Sequence, residues 1–268
     1  MQMNSIREIK AVMQAVSTYK LFAANSERAL SDIANRPQVS RETENYLARI
    51  DNISSAEELV SDTRVFNYVM RAYGLEEMSY AKAMVRRVLE GGIDDDKALA
   101  NQLTDSRFKQ LATDFNFARY GETTTTFERT RTGVVDKYYQ QTMEIDAGER
   151  SDGARLAMYF KRKAGEVENT YSILADPALL KVVQTVFQLP AEMSYLDIEK
   201  QAEMINKRLD IEDLSDPEKI DKLISRFLPL WDISGEEAVS VPPLVTLFSN
   251  TNTLSVDLLT SIQNMKKF

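Results

Sequence analysis

Four segments of this chain open the same way: a small or polar residue, an aspartate, then an amphipathic run. They are Ser61-Asp62-Thr63-Arg64, Thr104-Asp105-Ser106-Arg107, Ala175-Asp176-Pro177 and Ser215-Asp216-Pro217. An aspartate ahead of a helical run accepts hydrogen bonds from the orphan N–H groups of the first turn, and proline is tolerated at the first helical position. The first and third segments align without a gap at an offset of 114 residues. Val65, Phe66, Val69, Tyr73 and Leu75 fall on Leu179, Leu180, Val183, Phe187 and Leu189, large and apolar in both copies. One insertion later, Glu77-Met78-Ser79-Tyr80 falls on the identical Glu192-Met193-Ser194-Tyr195. The second and fourth align at an offset of 112, with Phe108, Leu111, Ala112 and Phe115 on Ile220, Leu223, Ile224 and Phe227. A unit that recurs at this distance, with apolar residues at three- and four-residue steps, predicts an all-α fold. It is an internally duplicated helical domain with two pseudo-equivalent multi-helix halves. The scarcity of turn formers, nine Gly and seven Pro, argues the same way against a β-rich fold.

Five segments follow from the pattern. Residues 1–39 hold an N-terminal helix, with Ile6, Ile9, Val12, Met13, Val16, Tyr19 and Phe22 forming one apolar stripe of a helix expected over 5–34. Pro37 stops it and Ser40 caps the next. Residues 40–120 form the first half, in which Ser54-Ser55-Ala56-Glu57-Glu58 opens a helix with acids in its first turn. Residues 121–154 are a linker and connecting helix; Gly121–Thr126 is polar and β-branched and predicts a loop. Residues 155–232 form the second half, and 233–268 a loop and a last helix. A helix lies between the Asp-led helices of each half, over Tyr80–Leu89 and Tyr195–Leu209. One compact domain containing all five segments is the alternative arrangement.

The chain contains no Cys and no His. That excludes disulfides, thiolate or imidazole metal sites, and Ser-His-Asp or Cys-His catalysis. Net charge is −8 and pI near 4.9, which disfavours nucleic acid and anionic membrane surfaces as partners. No apolar stretch reaches the length of a membrane span, and the start lacks a secretory h-region. The expected location is the cytoplasm; flagellar type III export uses no cleaved hydrophobic signal and stays open. Asp94-Asp95-Asp96 follows Gly91-Gly92, and Asp210, Glu212, Asp213 and Asp221 lie near a helix start. Neither group has the alternating ligands of a Ca²⁺ loop, so both are read as solvated turns and helix starts. Asp62, Asp105, Asp176 and Asp216 are read as helix caps, not as carboxylate pairs. Met and aromatic residues at helical spacing are read as core. No phosphate-binding glycine motif is present, and no cofactor is expected. In the last segment, Leu244, Leu247, Phe248, Val256 and Leu259 are candidates for docking a partner.

Several runs carry a family resemblance. Tyr73-Gly74-Leu75-Glu76, Leu89-Glu90-Gly91-Gly92, Asn101-Gln102-Leu103-Thr104-Asp105-Ser106-Arg107, Phe115-Asn116-Phe117-Ala118 and Gly153-Ala154-Arg155-Leu156-Ala157-Met158-Tyr159-Phe160 resemble the bacterial family called domain of unknown function 1217. So does the tail Leu254-Ser255-Val256-Asp257-Leu258-Leu259. The resemblance implies an all-helical protein, often encoded among flagellar and motility genes, with no established catalytic residues to carry over. The expected function is that of a non-enzymatic interaction or structural protein with protein partners in the flagellar system. The alternatives are a carboxylate and divalent-cation enzyme, or a small-ligand sensor with its pocket between the halves.

Overall fold

The computed structural model describes residues 14–234, and among these there is no strand. The apolar stripe at Ile6, Ile9, Val12 and Met13 lies outside the described residues. So do the docking candidates Leu244, Leu247, Phe248, Val256 and Leu259.

The helix expected over 5–34 is broken. Helix α1 (Gln14–Ala23) and helix α2 (Ser26–Ala34) meet at Asn25, whose backbone leaves the helical region at φ −134° and ψ 47°. The break lets the two helices serve different neighbours: α1 lies on the later helices α11 (Asp152–Lys163) and α15 (Pro217–Ser234), whereas α2 lies on α10 (Thr132–Gly148). Helix α3 (Pro37–Ile50) corrects a second expectation. Pro37 occupies its first turn, where a missing N–H costs nothing, and Ser40 sits inside the helix, donating to Glu44 at 2.9 Å. Helix α4 (Ala56–Ser61) begins at Ser55, whose hydroxyl accepts the Glu58 N–H at 3.2 Å. The Glu58 carboxylate returns to the N–H and hydroxyl of Ser54, a reciprocal cap displaced by one residue.

Helix α5 (Thr63–Ala72) starts at Asp62; α6 (Lys82–Gly91), α7 (Leu99–Gln102), α8 (Ser106–Asp114) and α9 (Phe117–Tyr120) follow. The segment Gly121–Thr126 is two turns of 3₁₀ helix and not the expected loop. Its threonines explain why. The Thr123, Thr124 and Thr126 hydroxyls each donate to the carbonyl three residues back, at 2.7 Å. Thr125 is buried and donates instead to the Ile53 carbonyl at 2.7 Å, tying the segment to α3 and α4. Then come α10, α11, α12 (Thr170–Ala175), α13 (Pro177–Phe187), α14 (Ile198–Asn206) and α15.

Apolar side chains gather into two clusters. The first centres on Tyr46, Phe66, Leu75, Leu111 and Phe115. Inside it the rings of Tyr46, Tyr68 and Tyr138 stack in sequence, at 4.5 and 4.0 Å. The second centres on Phe160, Ile173, Val183, Ile205 and Phe227. Each buried side chain of this size contributes about 2 kcal/mol. Helices α1 and α11 belong to both clusters: Phe22 and Met158 enter the first, Ala15 and Ala157 the second, and Tyr19 rests on both. Where α10 meets α11, buried Glu144 forms a two-pronged ion pair with Arg162, at 2.7 and 2.9 Å. Beside it, buried Lys163 donates to Gln110 and Glu166.

Candidate functional site

The repeated aspartates are engaged with backbone. Asp62 Oδ1 accepts from the N–H groups of Arg64 and Val65, at 3.1 and 3.2 Å. Asp105 accepts from Arg107, Asp176 from Ala178 and Leu179, and Asp216 from Glu218. Three of them also hold a side chain: Asp62 takes the Arg49 guanidinium, Asp105 that of Arg107, and Asp176 the Tyr159 hydroxyl at 2.7 Å. Burial, with the Asp176 carboxylate close by, keeps the Tyr159 phenol well above its ordinary range. Burial opposes the charge on Arg107, but Asp105 and Glu77 more than offset it and hold the guanidinium protonated. These carboxylates serve helix starts, and those of Asp62 and Asp176 tertiary ties as well.

The other acids are similarly placed. Asp95 accepts the Lys97 N–H, and Asp94 pairs with Arg119 at 3.5 Å. Asp210 caps the 3₁₀ turn Ile211–Ser215, while Asp213 and Asp221 pair with Lys219 and Lys161. Among the described residues no three acids converge in a way that could hold a metal ion.

The surface is most unusual around α14. Helix α13 ends at Gln188, which adopts the left-handed conformation (φ 51°), and the chain turns through Leu189 and Pro190 into a 3₁₀ turn, Ala191–Tyr195. That turn sends only Met193 into the core. Tyr195 is left 88% exposed, Leu196 42% and Ile198 51%. Tyr80, which aligns with Tyr195 in sequence, is also mostly exposed at 77%. Both tyrosines were expected in the core on helical spacing. They escape it because Tyr195 ends a 3₁₀ turn and Tyr80 lies just beyond one, both outside any continuous α-helical period. The neighbouring run of Asp197, Glu199 and Lys200 is the sequence signal that this stretch faces water.

Between the end of α13, α15 and Arg208 lies a groove of about 430 Å³. Val186, Phe187, Pro229 and Leu230 form its apolar walls, and Arg208 and Arg226 are its charged lining residues. Arg226 lies over the Phe187 ring at 5.8 Å and reaches the Val186 carbonyl, a cation at the negative end of α13. A second hollow of about 300 Å³ is lined by Ser54, Ser55, Glu57, Glu90 and Phe117. Neither hollow lies between the two clusters.

One tie could not be found from local pattern. Asp232, buried near the end of α15, accepts the N–H groups of Ala15 and Val16, at 2.8 and 3.2 Å. It anchors α1 from across the sequence.

Comparisons with known proteins agree with this all-helical class. The family described as Protein of unknown function (DUF1217) matches residues 72–220, and the chain belongs to it. The X-ray structure of a protein from Agrobacterium tumefaciens, solved as a structural-genomics target, is similar at a TM-score of 0.78. The two are 40% identical, over 84% of this chain and 95% of that one. None of the curated proteins matches.

Proposed function

We propose that this protein is a non-enzymatic helical scaffold that works through protein contacts, associated with the flagellar or motility system. The observation that carries this reading is the exposed run Tyr195-Leu196-Asp197-Ile198: three large apolar side chains held outward within four residues of ordered backbone. Scattered surface leucines need no explanation, but a contiguous apolar strip with a polar rim marks a contact surface. The motility assignment rests on the family resemblance. A tagged chain purified from motile cells is expected to carry flagellar or export components, and a deletion strain to swim poorly. Recovery of none of these components, with normal swimming of the deletion strain, would overturn the assignment.

The scaffold is read as a duplicated unit, and several local features at a spacing of 114 residues support that. Ser55 caps a six-residue helix, as does Asn169. Asp62 and Asp176 cap the next helices. Those helices end alike. Gly74 and Gln188 are both left-handed, the Leu75 N–H returns to the Met70 carbonyl, and the Leu189 N–H returns to that of Gln184. This is the same termination motif twice.

A further inference from the structure

On the reading that this protein works through protein contacts, we infer that the groove between the end of α13, α15 and Arg208 docks an acidic peptide segment of a partner. The segment it fits carries one large apolar side chain with a carboxylate beside it.

The apolar lining of the groove lies deeper than the charged lining. Val186 is buried, Phe187 and Leu230 are half-buried, and Arg208, Arg226 and Pro229 are exposed. An apolar centre under a polar rim is the anatomy of a contact site. Its volume, about 430 Å³, is that of a modest ligand pocket. A side chain can enter from the surface without opening the core.

Charge decides what fits. Arg226 lies over the Phe187 ring at 5.8 Å, and its hydrogen bond is to the Val186 carbonyl, at 3.5 Å. Among the described residues neither Arg226 nor Arg208 has a carboxylate within ion-pairing distance. Elsewhere the chain neutralises such groups. Arg119 and Arg162 also lie over tyrosine rings, and each holds a carboxylate, Asp94 and Glu144. Asp210, Glu212 and Asp213 follow Arg208 in sequence but do not line the groove. Asp210 caps the next turn and Asp213 pairs with Lys219. On a chain of net charge −8, two cations beside an apolar hollow are thus left for a ligand's carboxylate. The helix dipole narrows the choice of anion. Helix α13 ends at Phe187, so its carbonyl end, which carries a partial negative charge, lies at the groove. That charge favours a single carboxylate over a doubly charged phosphate.

Chemical-shift titration of the isotope-labelled full chain tests the docking, with the blocked peptide Gly-Glu-Leu-Glu-Gly as probe. Saturable shifts are expected at the amides of Val186, Phe187 and Leu230 at roughly millimolar peptide or below, weakening as salt rises. Replacing the glutamates of the peptide with glutamine, or its leucine with glycine, is expected to weaken binding about fivefold or more. So are Arg208→Gln and Arg226→Gln in the protein, each the loss of one partly exposed ion pair. Both arginines are exposed, so helical content measured by circular dichroism should not change. No saturation at millimolar peptide, or equal binding by the double arginine variant, would overturn the proposal. Inorganic phosphate that shifts the same amides at lower concentration than the peptide would overturn the choice of a carboxylate. The double variant leaves Tyr195 and Ile198 in place. Peptide binding that fails while a partner is still captured at Tyr195 would refute the groove and leave the contact-surface reading standing.

Discussion

Asp62 shows how much a single side chain settles here. It caps α5, takes the Arg49 guanidinium and so fixes α3 against the start of α5. Burial works against its charge, but the Arg49 contact and the N–H groups of Val65 and Arg64 prevail and lower its pKa below the ordinary 3.8. A carboxyl whose folded pKa is depressed contributes stability that is complete above its ordinary value and is lost as pH falls through the lower folded one. Replacing Asp62 with Ala should remove the cap, at a cost of about 1 kcal/mol. Replacing it with Asn should keep the cap, because the amide oxygen still accepts, but lose the Arg49 ion pair and with it the acid dependence. Melting temperatures measured down the acid limb should therefore be flatter for Asp62→Asn than for wild type below pH 3.8. Equal slopes would show that the carboxylate charge plays no part.

Among the elements, α11 is, with α1, one of the two that serve both clusters, and one glycine makes its packing with α15 possible. A Cβ placed on Gly153 would lie 2.3 Å from Cδ1 of Trp231, far inside van der Waals contact. Gly153→Ala should force the indole out of its place and cost about 1–3 kcal/mol; denaturant titration with Trp231 fluorescence as the probe would show it. On the same helix, Arg162 neutralises buried Glu144. Glu144→Ala, which leaves the half-buried guanidinium without its carboxylate, should cost about 1–3 kcal/mol, whereas replacing both partners with leucine should cost less. A thermal melt of the single and double variants distinguishes a paired charge from mere packing.

The element scale also shows what sequence can reveal. Helix class and the Asp-led starts were legible, because caps act on the backbone within a few residues. Three features were not legible for identifiable reasons. The Gly121–Thr126 turn depends on hydroxyls bonding three residues back and on Thr125 reaching Ile53, which mimics a polar loop in sequence. The anchoring of α1 depends on Asp232, 217 residues away from Ala15. Tyr80 and Tyr195 carry core-like chemistry, and only the 3₁₀ turns, one just before Tyr80 and one ending at Tyr195, take the rings out of α-helical register.

At the scale of the whole molecule, two apolar clusters share α1 and α11 as common walls, the strip Tyr195–Ile198 is exposed, and the Arg208 groove opens over Val186 and Phe187 at the edge of the second cluster. A chain without His or Cys, whose repeated carboxylates are occupied with capping and pairing, has its uncommitted chemistry on that outer surface. The central claim is that this surface is made for protein contact. Site-specific photo-cross-linking in living cells tests it most directly, with the photoreactive residue placed at 195, at 198 and, as a control, at the exposed position 222 on α15. Discrete cross-linked species are expected from 195 and 198 and not from 222. If 195 and 198 give no more adduct than 222, the strip is not a contact surface and the claim fails.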